Sequence, residues 1–323
     1  MDLANWMRDL SPSMKAKSVL ELSIPGSHNS FTHNLSTSSV VGPDQPQWIQ
    51  KWAGRTSLFS KPILRRWGVC QKWNCREQLE HGIRFFDLRL GKYPKKSLIC
   101  GGSSAQVSQK QPEAQIRILH GLFGDGIGPI LCEIRDFLDT HPGELVLIDI
   151  HHTYDFTPID FQILAEVTDD ILENKLIPQS TDLTFQDLLA QGQVILSCDH
   201  LIQLGSKVWS RSWIQNPWPN TEDLKTMDSL LIVYLENRYS RHLHVSQGIL
   251  TASMKTVRSN FFSSMEEKIG RPCTRHLIQE WIPQTSRSQN LNVVLADFVD
   301  ESGFVESVIS LNDSNTRRRR RLV

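Results

Sequence analysis

The chain has 323 residues, 39% of them apolar and 22% charged, with 35 basic and 35 acidic side chains and no formal net charge. This is globular composition with enough chain for a large core, and it excludes any partner selected by bulk charge. Six cysteines (Cys70, Cys75, Cys100, Cys132, Cys198, Cys273) show no CxxC pair, which reads as scattered reduced thiols rather than a disulfide framework.

The N-terminus carries an early acid, Asp2, and no apolar core, so it does not read as a signal peptide. The longest apolar run, Leu230 to Leu235, is too short for a membrane span. The expected location is the cytosol, with peripheral membrane contact. Residues 1–17 are predicted as a short helix holding Trp6, Met7 and Leu10. An alternating run from Leu20 to Ile24 follows and is broken at Pro25-Gly26. That is the pattern of a strand ending in a tight loop, and the loop presents His28, a residue suited to proton transfer near neutral pH.

Residues 31–66 show little periodicity. They interleave Lys51, Arg55, Lys61, Arg65 and Arg66 with Trp48, Trp52, Leu58, Phe59, Ile63 and Leu64, and Trp67 follows. Two readings stand: a membrane-interface segment, or an insertion at about 40–70 that packs its tryptophans on the domain. Asn74 to Glu80 is predicted as a helix with Asn74 as N-cap and Gly82 beyond its end. Ile83 to Leu90 is a strand with Phe85, Asp87 and Arg89 on one face. The acid and the arginine are either functional or a salt bridge at a strand end.

Residues 91–115 form a polar, mobile loop, and Ile116 to Leu119 is a strand that delivers His120. Pro129 to Thr140 has helical spacing, and His141-Pro142-Gly143 stops it. Leu145 to Ile150 is a near-continuous apolar strand, interrupted by Asp149 and followed by His151 and His152. Adjacent residues on a strand point to opposite faces, so these two histidines are not expected to share a metal ion. His33, His81 and His200 have no motif around them and read as surface residues. Helices are predicted over 160–176, 184–189, 221–236 and 302–311, and strands over 193–198, 243–250 and 291–296, the last ending at Asp297. Residues 205–220 form a loop with three tryptophans. A basic run, Arg317 to Arg321, closes the chain as a solvated tail, a lipid contact or a nuclear signal.

About eight strands, mostly alternating with helices, argue for parallel α/β architecture. A closed barrel and a doubly wound sheet are both solutions. The lack of a Gly-rich phosphate loop disfavours the nucleotide-binding versions. His28, Asp87, Arg89, His120 and Asp297 all fall at or just after predicted strand C-termini, the end that carries the active site in a parallel barrel. Two imidazoles and a guanidinium suit phosphodiester cleavage. One imidazole takes a proton from the attacking hydroxyl, another protonates the leaving oxygen, and the cation stabilises the charged phosphoryl oxygens. The basic residues fit no nucleic-acid-binding module, so no nucleic-acid partner is expected.

The motifs Ser23-Ile24-Pro25-Gly26-Ser27-His28, Gln78-Leu79 with Gly82 to Arg89, Leu119-His120-Gly121, His141-Pro142-Gly143-Glu144, His244 to Leu250 and Ala296-Asp297-Phe298 stand in that order. Together they resemble the X-domain phosphatidylinositol-specific phospholipases C, and within them the stand-alone PI-PLC X domain-containing proteins of animals, over about residues 4–313. The resemblance implies a distorted TIM-type (βα)8 barrel as one catalytic domain over 1–316, with 317–323 as a disordered basic tail. It implies cleavage of phosphatidylinositol or a phosphoinositide in membranes on the glycerol side of the phosphate. By the same resemblance, His28 is the base and His120 the acid. Arg89 holds the phosphoryl oxygens, Asp297 orients His28, Asp87 braces Arg89 or the inositol, and Asn29 and His151 border the substrate.

Calcium-dependent members place an acid where Arg89 stands and another where His151 stands, so calcium is not expected as a cofactor here. Bacterial members and most stand-alone ones have an aspartate where Asn29 stands. Asparagine does not raise the pKa of His120 as a carboxylate does, so slow turnover is expected, rising with Asn29→Asp. A non-catalytic lipid- or inositol-phosphate-binding barrel is the alternative. Glycerophosphodiester phosphodiesterases rank low, because they need Glu-x-Asp where this chain has Asp87-x-Arg89. Headgroup phosphorylation and oligomeric state stay open.

Overall fold

The computed structural model describes residues 2–94, 115–180, 184–286 and 290–313. The expectations for the polar loop beyond residue 94 and for the basic tail lie outside them. Among the described residues, nine strands form the sheet: β1 (Ile24–Ser27), β2 (Phe85–Lys92), β3 (Ile116–His120), β4 (Leu122–Gly126), β5 (Val146–Tyr154), β6 (Val194–Ser197), β7 (Ile214–Gln215), β8 (Leu243–Gly248) and β9 (Val293–Ala296). β6, β5, β2, β1, β9, β8 and β7 neighbour one another in that order, all parallel. Helices lie between most of them, giving a distorted TIM-type barrel rather than a doubly wound sheet.

Every residue of β1, β6, β8 and β9 is buried, as in parallel strands covered on both faces. The helix over Cys75–Glu80 begins as expected, in a capping box between Asn74 and Glu77. After it, Gly82 turns the chain at φ 96°, a conformation that favours glycine. The five described cysteines are unpaired, and no described helix is long and apolar enough to cross a membrane.

Three sequence expectations are corrected, and one helical stretch was not anticipated. The first strand is not Leu20 to Ile24: Val19–Glu21 is a 3₁₀ turn, and β1 runs through the Pro25-Gly26 break. The missing N–H of Pro25 costs no ladder bond. Ile24 donates to the Asn292 carbonyl just before β9 and His28 to the Ala296 carbonyl at its end, and the Pro25 carbonyl accepts from Arg84 before β2 begins. Residues 31–66 do contain regular structure, the helices Gln47–Arg55 and Ser57–Gly68. A helical stretch over 266–285 was not legible, because Pro272 and Pro283 punctuate its pattern; the chain passes through both by way of π-turns over Glu266–Gly270 and Leu277–Trp281. Finally, β3 is antiparallel to β2. β2 overshoots the barrel rim, and β3 pairs with that overhang before turning back through β4.

Candidate active site

His28 follows directly on β1, where its N–H donates to the Ala296 carbonyl at the end of β9 at 3.0 Å. The chain then turns sharply. Asn29 has φ 43°, a left-handed conformation that asparagine and aspartate tolerate better than most residues. The Asn29 N–H donates to Asp87 Oδ2 at 3.2 Å, and the Ser30 N–H to the Asp87 carbonyl at 2.8 Å, so the turn wraps over β2. The His28 ring is buried, with Nδ1 2.7 Å from Asp297 Oδ1. With the proton on Nδ1, this bond leaves the Nε2 lone pair free. The Thr274 hydroxyl donates to the Asp297 carbonyl at 2.5 Å and fixes that backbone.

Asp87 is buried beneath Asn29. His28 Nε2 stands 4.0 Å from its Oδ2, and His151 Nδ1 stands 3.4 Å from its Oδ1. Burial works to raise the Asp87 carboxyl, but His151, His28 and Arg89 outweigh it and hold the group well below the usual carboxylate range. Arg89, two residues on, lines a cleft together with His28 and Asn29. The alternative of an Asp87–Arg89 salt bridge at a strand end gives way to this wider cluster.

The pairing of β2 with β5 shifts between Leu88 and Arg89, so that Arg89 stands opposite His152 and His151 is the extra residue of a bulge. The expectation that His151 and His152 face opposite ways is therefore corrected: their rings stack at 4.1 Å. Burial, then His151 and Arg89, hold His152 down at about 4. Asp149, which the sequence showed only as an interruption, is wholly buried and bound by Arg211 at 2.6 and 3.1 Å.

His120 arrives from the opposite direction, on antiparallel β3. Its Nδ1 donates to the Gly68 carbonyl at 2.7 Å, which turns Nε2 toward Asn29 Nδ2 at 3.4 Å. Burial and then Arg89 hold this imidazole below its ordinary range, against Asp44 and the Gly68 carbonyl. Asp44 Oδ2 in turn accepts from the Gly121 N–H at 2.6 Å.

His28, Asn29, Arg89 and His120 thus line one cleft of about 630 Å³, although they are spread over nearly a hundred residues of chain. Its outer wall is apolar: Trp48, Trp52, Trp67, Trp218, Met254 and Phe261. The tryptophan-rich insertion has a packed face and an exposed one. Ile49, Ala53 and Ile63 pack inward, while Leu58 and Phe59 are 84% and 77% exposed. Phe262, across the cleft mouth beside Phe261, is 91% exposed.

Sequence reasoning missed Gln71 and Cys70. The Gln71 amide donates to the His28 and Ala296 carbonyls at 2.8 and 3.0 Å, and its oxygen accepts from the Val299 N–H at 3.1 Å. It thereby ties the ends of β1 and β9 together. No strand precedes these two residues, so no strand-end pattern pointed to them. Among the described residues, two groups of side chains are spaced to hold an ion: Asp87 with Asp149 and His151, and His28 with Cys70 and Asp297.

No protein-family model matches the chain. Relatives match nearly all of it. The human protein PI-PLC X domain-containing protein 3 is 30% identical over 317 residues, 97% of this chain and 94% of its own. Mouse PI-PLC X domain-containing protein 2 is 32% identical over 318 residues, 96% of this chain and 88% of its own. In fold, the chain is similar to the phosphatidylinositol-specific phospholipase C of Listeria monocytogenes, with a TM-score of 0.62 at 16% identity, covering 97% of this chain and 100% of that one.

Proposed function

The chain belongs to the PI-PLC X domain-containing proteins, and from that premise we propose that it is a phosphodiesterase cleaving phosphatidylinositol, or a phosphorylated form of it, to diacylglycerol and an inositol phosphate. The observation that carries this reading is the meeting of His28, His120 and Arg89 in one cleft, with His28 Nδ1 held by Asp297 at 2.7 Å. His28 Nε2 takes the proton of the inositol 2-hydroxyl, and that oxygen attacks phosphorus. Arg89 stabilises the charge on the non-bridging oxygens, and His120 Nε2 gives its proton to the departing glycerol oxygen. Asp297 fixes the tautomer of His28. Asp87 anchors the Asn29 turn and stands beside both His28 and His151.

The chemistry of the donor set supports turnover without calcium. Calcium takes 6–8 oxygen ligands. Here Asp149 is already bound by Arg211, His151 offers nitrogen, and the Arg89 guanidinium occupies the rim. The exposed aromatic side chains around the cleft mouth suit a peripheral approach to the bilayer interface.

A second reading rests on one contact. The Asn29 amide nitrogen faces His120 Nε2 and favours the unprotonated ring, the wrong state for an acid. A barrel that binds inositol lipid with little turnover is consistent with it. Incubation with phosphatidylinositol vesicles in a calcium chelator, with His28→Ala as the blank, decides between them. The enzyme reading expects diacylglycerol from the wild type alone. Binding without product supports the second reading, and activity restored only by calcium contradicts the metal-free site.

A further inference from the structure

We propose that His28, Cys70 and Asp297 form a zinc site, and that a bound ion switches the cleft off. One ligand atom of each lies within 4.8 Å of those of the other two. The three come from distant parts of the chain and all are buried, at 8%, 1% and 1% exposure. Asp297 uses Oδ1 for His28, while its Oδ2 is buried without a hydrogen bond.

Imidazole nitrogen, thiolate sulfur and carboxylate oxygen are the donors zinc takes. A site of three protein ligands leaves the fourth position for water. Sulfur and nitrogen disfavour calcium and magnesium, which bind oxygen. The charges also balance. Cys70 releases its thiol proton to solvent on binding, and the thiolate and the carboxylate together neutralise a divalent ion in a buried place.

The site is supported from outside its own ligands. The Cys70 N–H donates to Thr32 Oγ1 at 3.0 Å, the Cys70 carbonyl accepts from the Phe298 N–H at 2.7 Å, and Gln71 is tied to both strand ends. The backbone that carries the sulfur is therefore fastened to the residue that follows Asp297. Entry is through the cleft, which His28 and Cys70 both line. The inhibitory consequence rests on the reading of His28 as a base, because an ion on its ring removes the lone pair and the Asp297 contact. The site itself does not depend on that reading.

The test uses cobalt as a spectroscopic substitute for zinc in the full chain carrying Cys100→Ser and Cys132→Ser, without substrate. The expected result is one equivalent of cobalt with a thiolate charge-transfer band, displaced by zinc and unaffected by excess calcium. Cys70→Ser removes the band, and Asp297→Asn weakens zinc binding at least about tenfold. The asparagine variant keeps the test decisive if the serine variant does not fold. No bound cobalt, a spectrum without the thiolate band, or a band that survives Cys70→Ser overturns the site. Because this readout needs no turnover, a catalytically silent protein still decides it. In an active protein, equimolar zinc abolishes diacylglycerol release and a chelator restores it; zinc bound without loss of activity overturns the switch.

Discussion

The two ends of the barrel solve the problem of buried charge in opposite ways. At the N-terminal end of the strands, Arg84 is wholly buried and every nitrogen has a partner: Glu144 Oε2 at 2.8 Å and the carbonyls of Leu79, Ile83 and Ala4 at 2.7 to 2.9 Å. Glu144 Oε1 accepts from the Arg8 N–H. At the C-terminal end, Arg89 Nε, Asn29 Oδ1 and Asp297 Oδ2 are buried with no hydrogen bond. A satisfied network holds a fold together, whereas unsatisfied polar groups are tolerated where they serve a ligand. The same residue type, five positions apart, is structural at one end and available at the other.

The sharpest way to break this comparison is to remove each arginine. Arg84→Ala leaves Glu144 buried and unpaired and is expected to cost about 3–5 kcal/mol of stability by denaturant unfolding. Arg89→Ala is expected to change stability by less than about 1 kcal/mol while abolishing turnover. Equal losses would erase the distinction.

Acid tests the wall between the two ends. His244 on β8 is buried, its Nε2 lacks a partner, and burial holds its pKa down at about 4. In the unfolded chain the ring titrates near 6.5. The folded state therefore binds fewer protons between these values, and stability falls as pH drops from about 7 to 4, by about 3 kcal/mol in all. His244→Gln flattens that limb of a pH series of urea melts; an unchanged slope contradicts the assignment.

Asn29→Asp sharpens the account of the upper end. A carboxylate beside His120 raises its pKa, keeps the acid protonated to higher pH, and is expected to increase kcat near neutrality by about tenfold for each unit gained. The decline of kcat with rising pH moves upward in parallel. A fall in kcat would contradict the pairing of residue 29 with His120. The smallest expected effect belongs to the rim: Leu58→Ser with Phe59→Ser weakens vesicle binding, read by sedimentation, and leaves turnover of a soluble substrate intact. Unchanged binding would place membrane contact elsewhere.

Much of this was legible from the amino-acid pattern. The ordered motifs located His28, Asp87, Arg89, His120 and Asp297, and the buried apolar run of β5 announced a parallel sheet. What escaped depends on contacts that no local pattern encodes. The bulge that turns His151 and His152 to the same side exists only in the pairing of β5 with β2. The antiparallel approach of His120 requires that β2 overshoot the rim. Gln71 and Cys70 matter through bonds to residues more than two hundred positions away or to the opposite side of the cleft. Pro25-Gly26 misled because Pro25 lies inside the ladder with β9 but before the ladder with β2 begins, where its missing N–H is harmless, and only the register reveals this.

In the proposed mechanism, attack on phosphorus by the neighbouring inositol hydroxyl closes a ring, so the first water-soluble product it predicts is a cyclic inositol phosphate. Phosphorus NMR of phosphatidylinositol incubated with the chain in a calcium chelator reads this directly. The account predicts a cyclic phosphate resonance with the wild type and a rate lower by about 10²–10⁴-fold with His28→Ala or His120→Ala. The same resonance at an undiminished rate from either variant would contradict it.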